Sequence, residues 1–441
     1  MTLRSIEAVF TGFGGVTGAG DETAFRASWL GGESCVRPFE GRAHEGLPPG
    51  YGAPAAFVHK DLRGLPGGRG LRPGTMTAHS FLAAGAVGRA LLHAGLEDPE
   101  SDPDSVAERR GAYIGTYTNF PAMDKHLRLT HKMGSPDAAA TGAYEIEDAR
   151  ISGGMRGFTG FDFLKLMNNM PTAHVSIQAN VRGPANTFLG HSSVGLQAIG
   201  RAWDSLRLDL ADQFVTGSSG PGTIEGLCFI RQGQGALADP ALDPASAARP
   251  LDVEATGLVP GDGAAAFILE TAASATHRGA RPIARMAGYA EKFAVPLAGR
   301  GPLSDASSVI ALLQQVLSEA GWSPSDVDYI AGSALGQQDL DRIEADALAT
   351  VFGVEAASEG LALHTGVVGF TEAAHGTLGL LGALQSMVDG KIAPTVNLTR
   401  AVGGLAAMRP RERAVDRDVR RAVVLGLAPE GTMTALAVER A

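Results

Sequence analysis

The chain has 441 residues, 44% of them hydrophobic and 19% charged, and a net charge of −10. That length suits two or three domains or one large duplicated unit, with enough apolar residues for a sizeable core. The acidic balance argues against a nucleic-acid partner, and two cysteines, Cys35 and Cys228, make neither a disulfide framework nor a metal site, which fits a reducing cytoplasm.

No apolar run reaches the roughly 18 residues of a membrane span, and no basic-then-apolar leader opens the chain, so a soluble, cytoplasmic protein is expected. The densest basic stretch holds Arg409, Arg411, Arg413, Arg417, Arg420 and Arg421. Glu412, Asp416 and Asp418 interrupt it, so it reads as a solvated face rather than an anion-docking patch.

In chain order, Ala8–Gly12 reads as a strand ending in a glycine turn. Thr75–His93 reads as a helix with Met76, Leu82, Val87 and Leu91 near one face. Gly111–Gly115 is a further strand. Gly183–Ile199, GPANTFLGHSSVGLQAI, has the form of an extended segment, a tight turn and an apolar helix on which Leu196, Ile199 and Trp203 recur. Phe214–Gly217 follows as a strand. After Arg249 the alternation restarts with Ala264–Glu270, a helix over Val309–Leu317 and a strand over Val327–Ile330. Ala422–Leu427 and Thr434–Val438, separated by Pro429-Glu430-Gly431, read as a hairpin. The alternation predicts an α/β fold with mainly parallel sheets, and the stretch ADPALDPASAARP suggests a boundary at residue 250, between halves 1–250 and 251–441.

Ser192 lies at the junction of turn and helix, where free N–H groups and the helix dipole favour a developing anion. Such a position suits a nucleophile.

Several segments carry a resemblance. FLKLMNNMPTAHVSIQANVRGPANTF, the opening VFTGFGGVTGAG, the middle RPLDVEATGLVPGDGAAAFILE and the late KIAPTVNL are similar, in the same order, to the β-ketoacyl synthases of the thiolase-like fold. The resemblance implies a five-layer αβαβα architecture of two similar halves, and a dimer that joins sheets across its interface. It also implies that a catalytic cysteine should stand at position 192, where this chain has serine. A serine hydroxyl is a far weaker nucleophile than a thiolate and needs an adjacent base.

The rest of the family's apparatus is replaced as well. The first family histidine falls on Ser333, ahead of Asp341 and Glu344; the second falls on Phe370; the lysine five residues earlier falls on Thr365. The family's oxyanion-hole phenylalanine falls on Pro429, which has no N–H to donate. One lost donor typically lowers the rate by roughly 10²–10³. As a condensing enzyme the chain is expected to be inactive.

The substitutions resemble those of chain length factors, the inactive partners of ketosynthases in type II polyketide assembly, and VDYIAGSALGQQDLDRIEADALATVFG is especially close to them. Those proteins usually carry glutamine at the nucleophile position, and FLKLMNNMP is closer to fatty-acid-type ketosynthases, which leans towards a partner for a reduced or polyene chain. The resemblance implies a heterodimer with a cysteine-bearing ketosynthase, acyl groups delivered by an acyl carrier protein, and no metal or cofactor.

Two other readings compete. GHSSVG approximates a serine-hydrolase elbow, but Val194 replaces the glycine that permits the tight turn. Ser192 could instead take an acyl group, as an acyltransferase or thioesterase, with His191 or His375 as base; adjacent residues on such a turn point apart, and His375 is out of register with the family histidine. Phe120, Met123 and Leu127 match the segment that lines the chain-measuring tunnel of chain length factors, or else pack an interface. Met167 and Met170 read as tunnel lining or as core.

Overall fold

A computed structural model describes residues 6–40, 46–119, 160–294 and 305–441. Two sets of five strands build it. The first comprises β1 (Ala8–Thr17), β2 (Arg110–Thr116), β3 (Ala185–Leu189), β4 (Gln213–Pro221) and β5 (Asp262–Thr271). The second comprises β6 (Ala284–Phe293), β7 (Tyr329–Ala331), β8 (Leu361–Ala362), β9 (Arg421–Leu427) and β10 (Thr432–Arg440). Hydrogen bonds order the first set β1-β5-β4-β2-β3 and the second β6-β10-β9-β7-β8. The spatial order is the same in both, which is an internal duplication written in topology. β5 completes the first set at Thr271, so the stretch near residue 250 falls inside that set rather than after it.

The sheets are mixed, not mainly parallel as the alternation suggested. β2 pairs in parallel with β3 and β4, and β7 with β8 and β9. β5 runs antiparallel to both β1 and β4, and β10 antiparallel to both β9 and β6. The last strand of each half returns between its first and fourth strands, a placement that local periodicity does not encode. The two sets join through a short antiparallel contact, Val9 with Arg285 and Phe10 with Ala284. The predicted hairpin is β9–β10, closed by hydrogen bonds from Ala428 N to Thr432 O and from Gly431 N to Ala428 O, both 2.9 Å.

Helices complete five layers. α1 (Ala78–His93), capped by Thr77, packs on β1, β4 and β5; α4 (Ser307–Ala320) packs on β6 and β10. Between the two sheets lie α2 (Val194–Arg207) and α5 (His375–Asp389), each in contact with strands of both sets and with each other. Two further helices bear on the site: α3 (Glu225–Gly233) and the helix between α4 and α5, Gln338–Phe352. The periodic residues behave as their spacing predicts: Met76, Leu82, Val87, Leu91, Leu196, Ile199 and Trp203 are all buried. Close packing of α1 on β1 depends on small residues, since a Cβ on Gly12 would stand 2.5 Å from the Ala90 carbonyl oxygen.

The arginine-rich stretch is absorbed locally. Arg411 holds the carbonyls of Ala393, Ser358 and Glu359 at 2.9–3.1 Å. Arg417, Arg420 and Arg421 pair with Glu359, Asp418 and Glu439. Among the described residues, no helix is long and apolar enough to cross a membrane, and no group of three or more His, Cys, Asp or Glu could hold a metal ion.

Gly12→Ala should destabilise the fold by about 1–3 kcal/mol, the usual range for overpacking, read as a lower denaturation midpoint with an unchanged slope in urea.

Candidate functional site

The site forms where the N-terminal ends of α2 and α5 meet. Val194 N donates to His191 O at 3.0 Å and turns the chain into α2, leaving Ser192 at the helix entrance with no exposed surface. Gly376 N, in the first turn of α5, donates to Ser192 O at 3.0 Å. This approach requires glycines: a Cβ on Gly376 would lie 2.7 Å from Ser192 O, and one on Gly426 2.8 Å from Ser193 Cα.

The Ser192 hydroxyl donates to the Leu427 carbonyl at 2.5 Å. Ser333 Oγ accepts from Leu427 N at 2.9 Å and lies 3.4 Å from the same carbonyl. Ser192 and Ser333, which the resemblance aligns with a cysteine and a histidine, therefore grip the backbone carbonyl and N–H of one residue, Leu427, at the end of β9. Ser333 N donates to Glu344 Oε1 at 2.7 Å, and Asp341 accepts from Leu251 N, Leu335 N and Gly336 N at 2.7–3.0 Å. Burial pushes the Glu344 carboxyl up to about 8 and the Asp341 carboxyl up to about 6.

His375 heads α5 and its Nε2 donates to Ser333 O at 3.1 Å, with Thr365 Oγ1 3.4 Å away. Its Nδ1 then accepts from His364 Nε2 at 3.3 Å. Both ring nitrogens are engaged, and burial lowers its pKa to about 4. His364 is held well below the ordinary histidine range by burial, then by the neighbouring His375. His375 is thus a neutral, hydrogen-bonded histidine at the core of the site and not a base aimed at Ser192. Thr365 donates to Ala334 O at 2.6 Å. Phe370 is buried against Leu258 and Leu335, with its ring 5.4 Å from that of His375.

His191 also turns away from Ser192. Its Nδ1 lies 3.0 Å from Glu372 Oε2, and the Tyr117 ring covers it at 4.1 Å. Arg231 of α3 makes a two-pronged pair with Glu372, at 3.2 and 2.8 Å, and its guanidinium lies 5.8 Å from the Phe370 ring centre. With Nδ1–H donating to Glu372, the 3.1 Å approach of Arg231 Nη2 to that nitrogen is a contact rather than a bond. Burial works to raise the Glu372 pKa, but the His191 hydrogen bond and the Arg231 charge outweigh it and hold the carboxyl below its ordinary value.

The structure therefore brings Ser192, Ser333, Thr365 and Phe370 together, and Pro429 follows two residues after Leu427 in the closing turn. Pro429 borders an open cleft of about 600 Å³ with Thr256, Gly257, Gln337, Asp339 and Leu340. Met170 is buried and Met167 half-exposed. Phe120, Met123 and Leu127 lie outside the described residues. Sequence reasoning missed Arg231, Glu372 and the Leu427 backbone; the only local signal was a lone acid, Glu372, in the segment Thr371–His375.

This is the architecture of a condensing-enzyme fold. Residues 8–275 match the family model for the β-ketoacyl synthase N-terminal domain and residues 284–399 that for the C-terminal domain. The chain belongs to the β-ketoacyl synthase family. Within it, the similarity is to the chain length factor-like subgroup of type II polyketide synthases. The tetracenomycin polyketide synthase ketoacyl synthase β subunit of Streptomyces glaucescens is 30% identical over 446 residues, covering 98% of each chain. The granaticin polyketide putative β-ketoacyl synthase 2 of Streptomyces violaceoruber is 29% identical, covering 78% of this chain and 76% of that one. The solved ishigamide ketosynthase/chain length factor superposes with a TM-score of 0.80 at 20% identity over the full length of both chains. The five-layer thiolase-like fold of two similar halves is as the resemblance implied.

Ser192→Ala should remove one buried hydrogen bond and lower stability by about 1 kcal/mol in urea denaturation. Glu344 favours its protonated form when folded, so its contribution is complete below the ordinary carboxylate range and fades as pH rises towards 8. Wild type should lose stability relative to Glu344→Gln between pH 5 and 8, by at most about 1.4 kcal/mol per pH unit; parallel profiles would contradict this.

Proposed function

We propose that this chain is a non-catalytic ketosynthase homologue, a chain length factor-like subunit that pairs with a cysteine-bearing ketosynthase in type II polyketide or polyene biosynthesis. The partner performs decarboxylative Claisen condensation on acyl groups borne by an acyl carrier protein. This subunit completes the acyl tunnel and limits chain length.

One observation carries the reading: the Ser192 hydroxyl is spent on the Leu427 carbonyl, and neither His191 nor His375 offers it a ring nitrogen. With Pro429 in the closing turn, one oxyanion donor is missing too. Pairing is supported by β3, the outermost strand of the first set, with Ala185, Asn186 and Leu189 exposed along it. Such an edge invites another strand. One solved relative, of TM-score 0.78, is described as a type II polyketide synthase acyl-carrier protein in complex with its ketosynthase bound to the hexaketide. Phe120, Met123 and Leu127 are proposed as tunnel residues on the family resemblance alone.

Intact mass after incubation with acyl-carrier or acyl-CoA donors tests the reading. No adduct is expected, and a stable adduct lost in Ser192→Ala would establish the alternative, a serine acyltransferase or thioesterase. Co-expression with a cysteine ketosynthase should give a stable complex whose product length changes in Phe120→Ala; an intact complex with unchanged products would sink the tunnel assignment.

A further inference from the structure

Beside Ser192 lies a group of charges for which neither the fold nor the proposed role has a use. Glu372 is 1% exposed and Arg231 8% exposed, and they form an ion pair with two contacts. His191 donates into the same carboxylate, and Tyr117 closes over the imidazole. Burying such a pair carries a large desolvation penalty for each ion, so apolar residues of similar volume are often no less stable there. The backbone of Glu372 adds to the disadvantage, with φ of +47°, a left-handed conformation that a long side chain rarely adopts. Stability alone does not account for charges placed at this cost.

Their position does suggest a role. The Ser192 hydroxyl is bonded to the Leu427 carbonyl, and the Ser192 carbonyl to the N–H of Gly376, four residues after Glu372. His191, directly before Ser192 in the chain, links that centre to Glu372 and Arg231, whose guanidinium lies 5.8 Å from the Phe370 ring centre. A hydrocarbon chain entering there would have to separate Glu372 from Arg231 or lie against both without satisfying either. Each option leaves buried charge unpaired. Phe370 itself belongs to the barrier, since the residue at the lost histidine position supplies the face on which Arg231 rests.

We propose that Arg231, Glu372 and His191 form a charged partition that excludes hydrocarbon acyl chains from the half-site around Ser192. The partition determines where a chain can run rather than how it reacts. In the complex, and resting on the pairing proposed above, it keeps the growing chain in the shared tunnel and out of this subunit's own centre. Exclusion itself is a property of the isolated chain and can be measured without the partner.

The probe is a photoreactive 16-carbon fatty acid, cross-linked to the purified full chain and mapped by peptide mass spectrometry. Wild type should show no labelling above a no-light control on the segments 183–199 and 365–378. The double variant Arg231→Leu/Glu372→Leu should gain at least tenfold on those segments, with native circular dichroism. Glu372→Gln, nearly isosteric, should gain about threefold and covers the case in which the double variant does not fold. Strong wild-type labelling there overturns the partition, as does unchanged labelling in a folded variant. Failure to co-purify with any cysteine ketosynthase, with exclusion intact, would instead remove the proposed pairing and leave the partition standing.

Discussion

The hydrogen bond from Gly376 N–H to the Ser192 carbonyl, 3.0 Å long, fixes the centre of the molecule. It ties the entrance of α2 to the first turn of α5, the two helices sandwiched between the half-sheets. Because that contact is backbone to backbone, it tolerates no side chain at residue 376 and allows almost none at 426. Once the helix ends are held this closely, whatever occupies positions 192, 333 and 365 faces a small, dry space. The side chains there are small and polar, and each finds a backbone partner: Ser192 with Leu427, Ser333 with Leu427 and Glu344, and Thr365 with Ala334.

Such a centre is self-satisfied in a way a catalytic one cannot be. A nucleophile needs a proton acceptor that is not already committed, and an oxyanion needs donors that point at empty space. Here the serine proton goes to a carbonyl, the histidines hydrogen-bond to a carbonyl and to each other, and the closing turn carries a proline. Neutral His375 and protonation-prone Glu344 lie on either side of Ser333 without facing a substrate. Ser192 and Ser333 instead serve as fastenings for the end of β9.

Much of this was legible in sequence. Helical spacing gave the buried faces of α1 and α2, and the turn residues gave the β9–β10 hairpin. The segment resemblance gave the fold and the identities of Ser192, Ser333, Thr365, Phe370 and Pro429. Sheet direction was misjudged because β5 and β10 each return between earlier strands, a long-range placement that alternating β and α runs do not record. The role of Leu427 was invisible for another reason: it contributes its backbone N–H and carbonyl, and any apolar residue there would read the same. Arg231 and Glu372 are 141 residues apart, and only the fold makes them a pair.

That pair bears on why a family fold would be kept in a subunit that, as proposed, no longer catalyses. If only shape mattered, apolar replacements would suffice at every lost position, as Phe370 illustrates. Glu372 goes further, because it introduces a buried charge that requires both Arg231 and His191 to be tolerable and strains its own backbone to reach them. An arrangement needing three cooperating residues from three separate segments differs from simple decay, in which each position drifts independently. It is the kind of feature expected where repelling an apolar chain is itself the task. A non-catalytic subunit of the proposed kind would then be specified as much by what it keeps out as by the scaffold it retains.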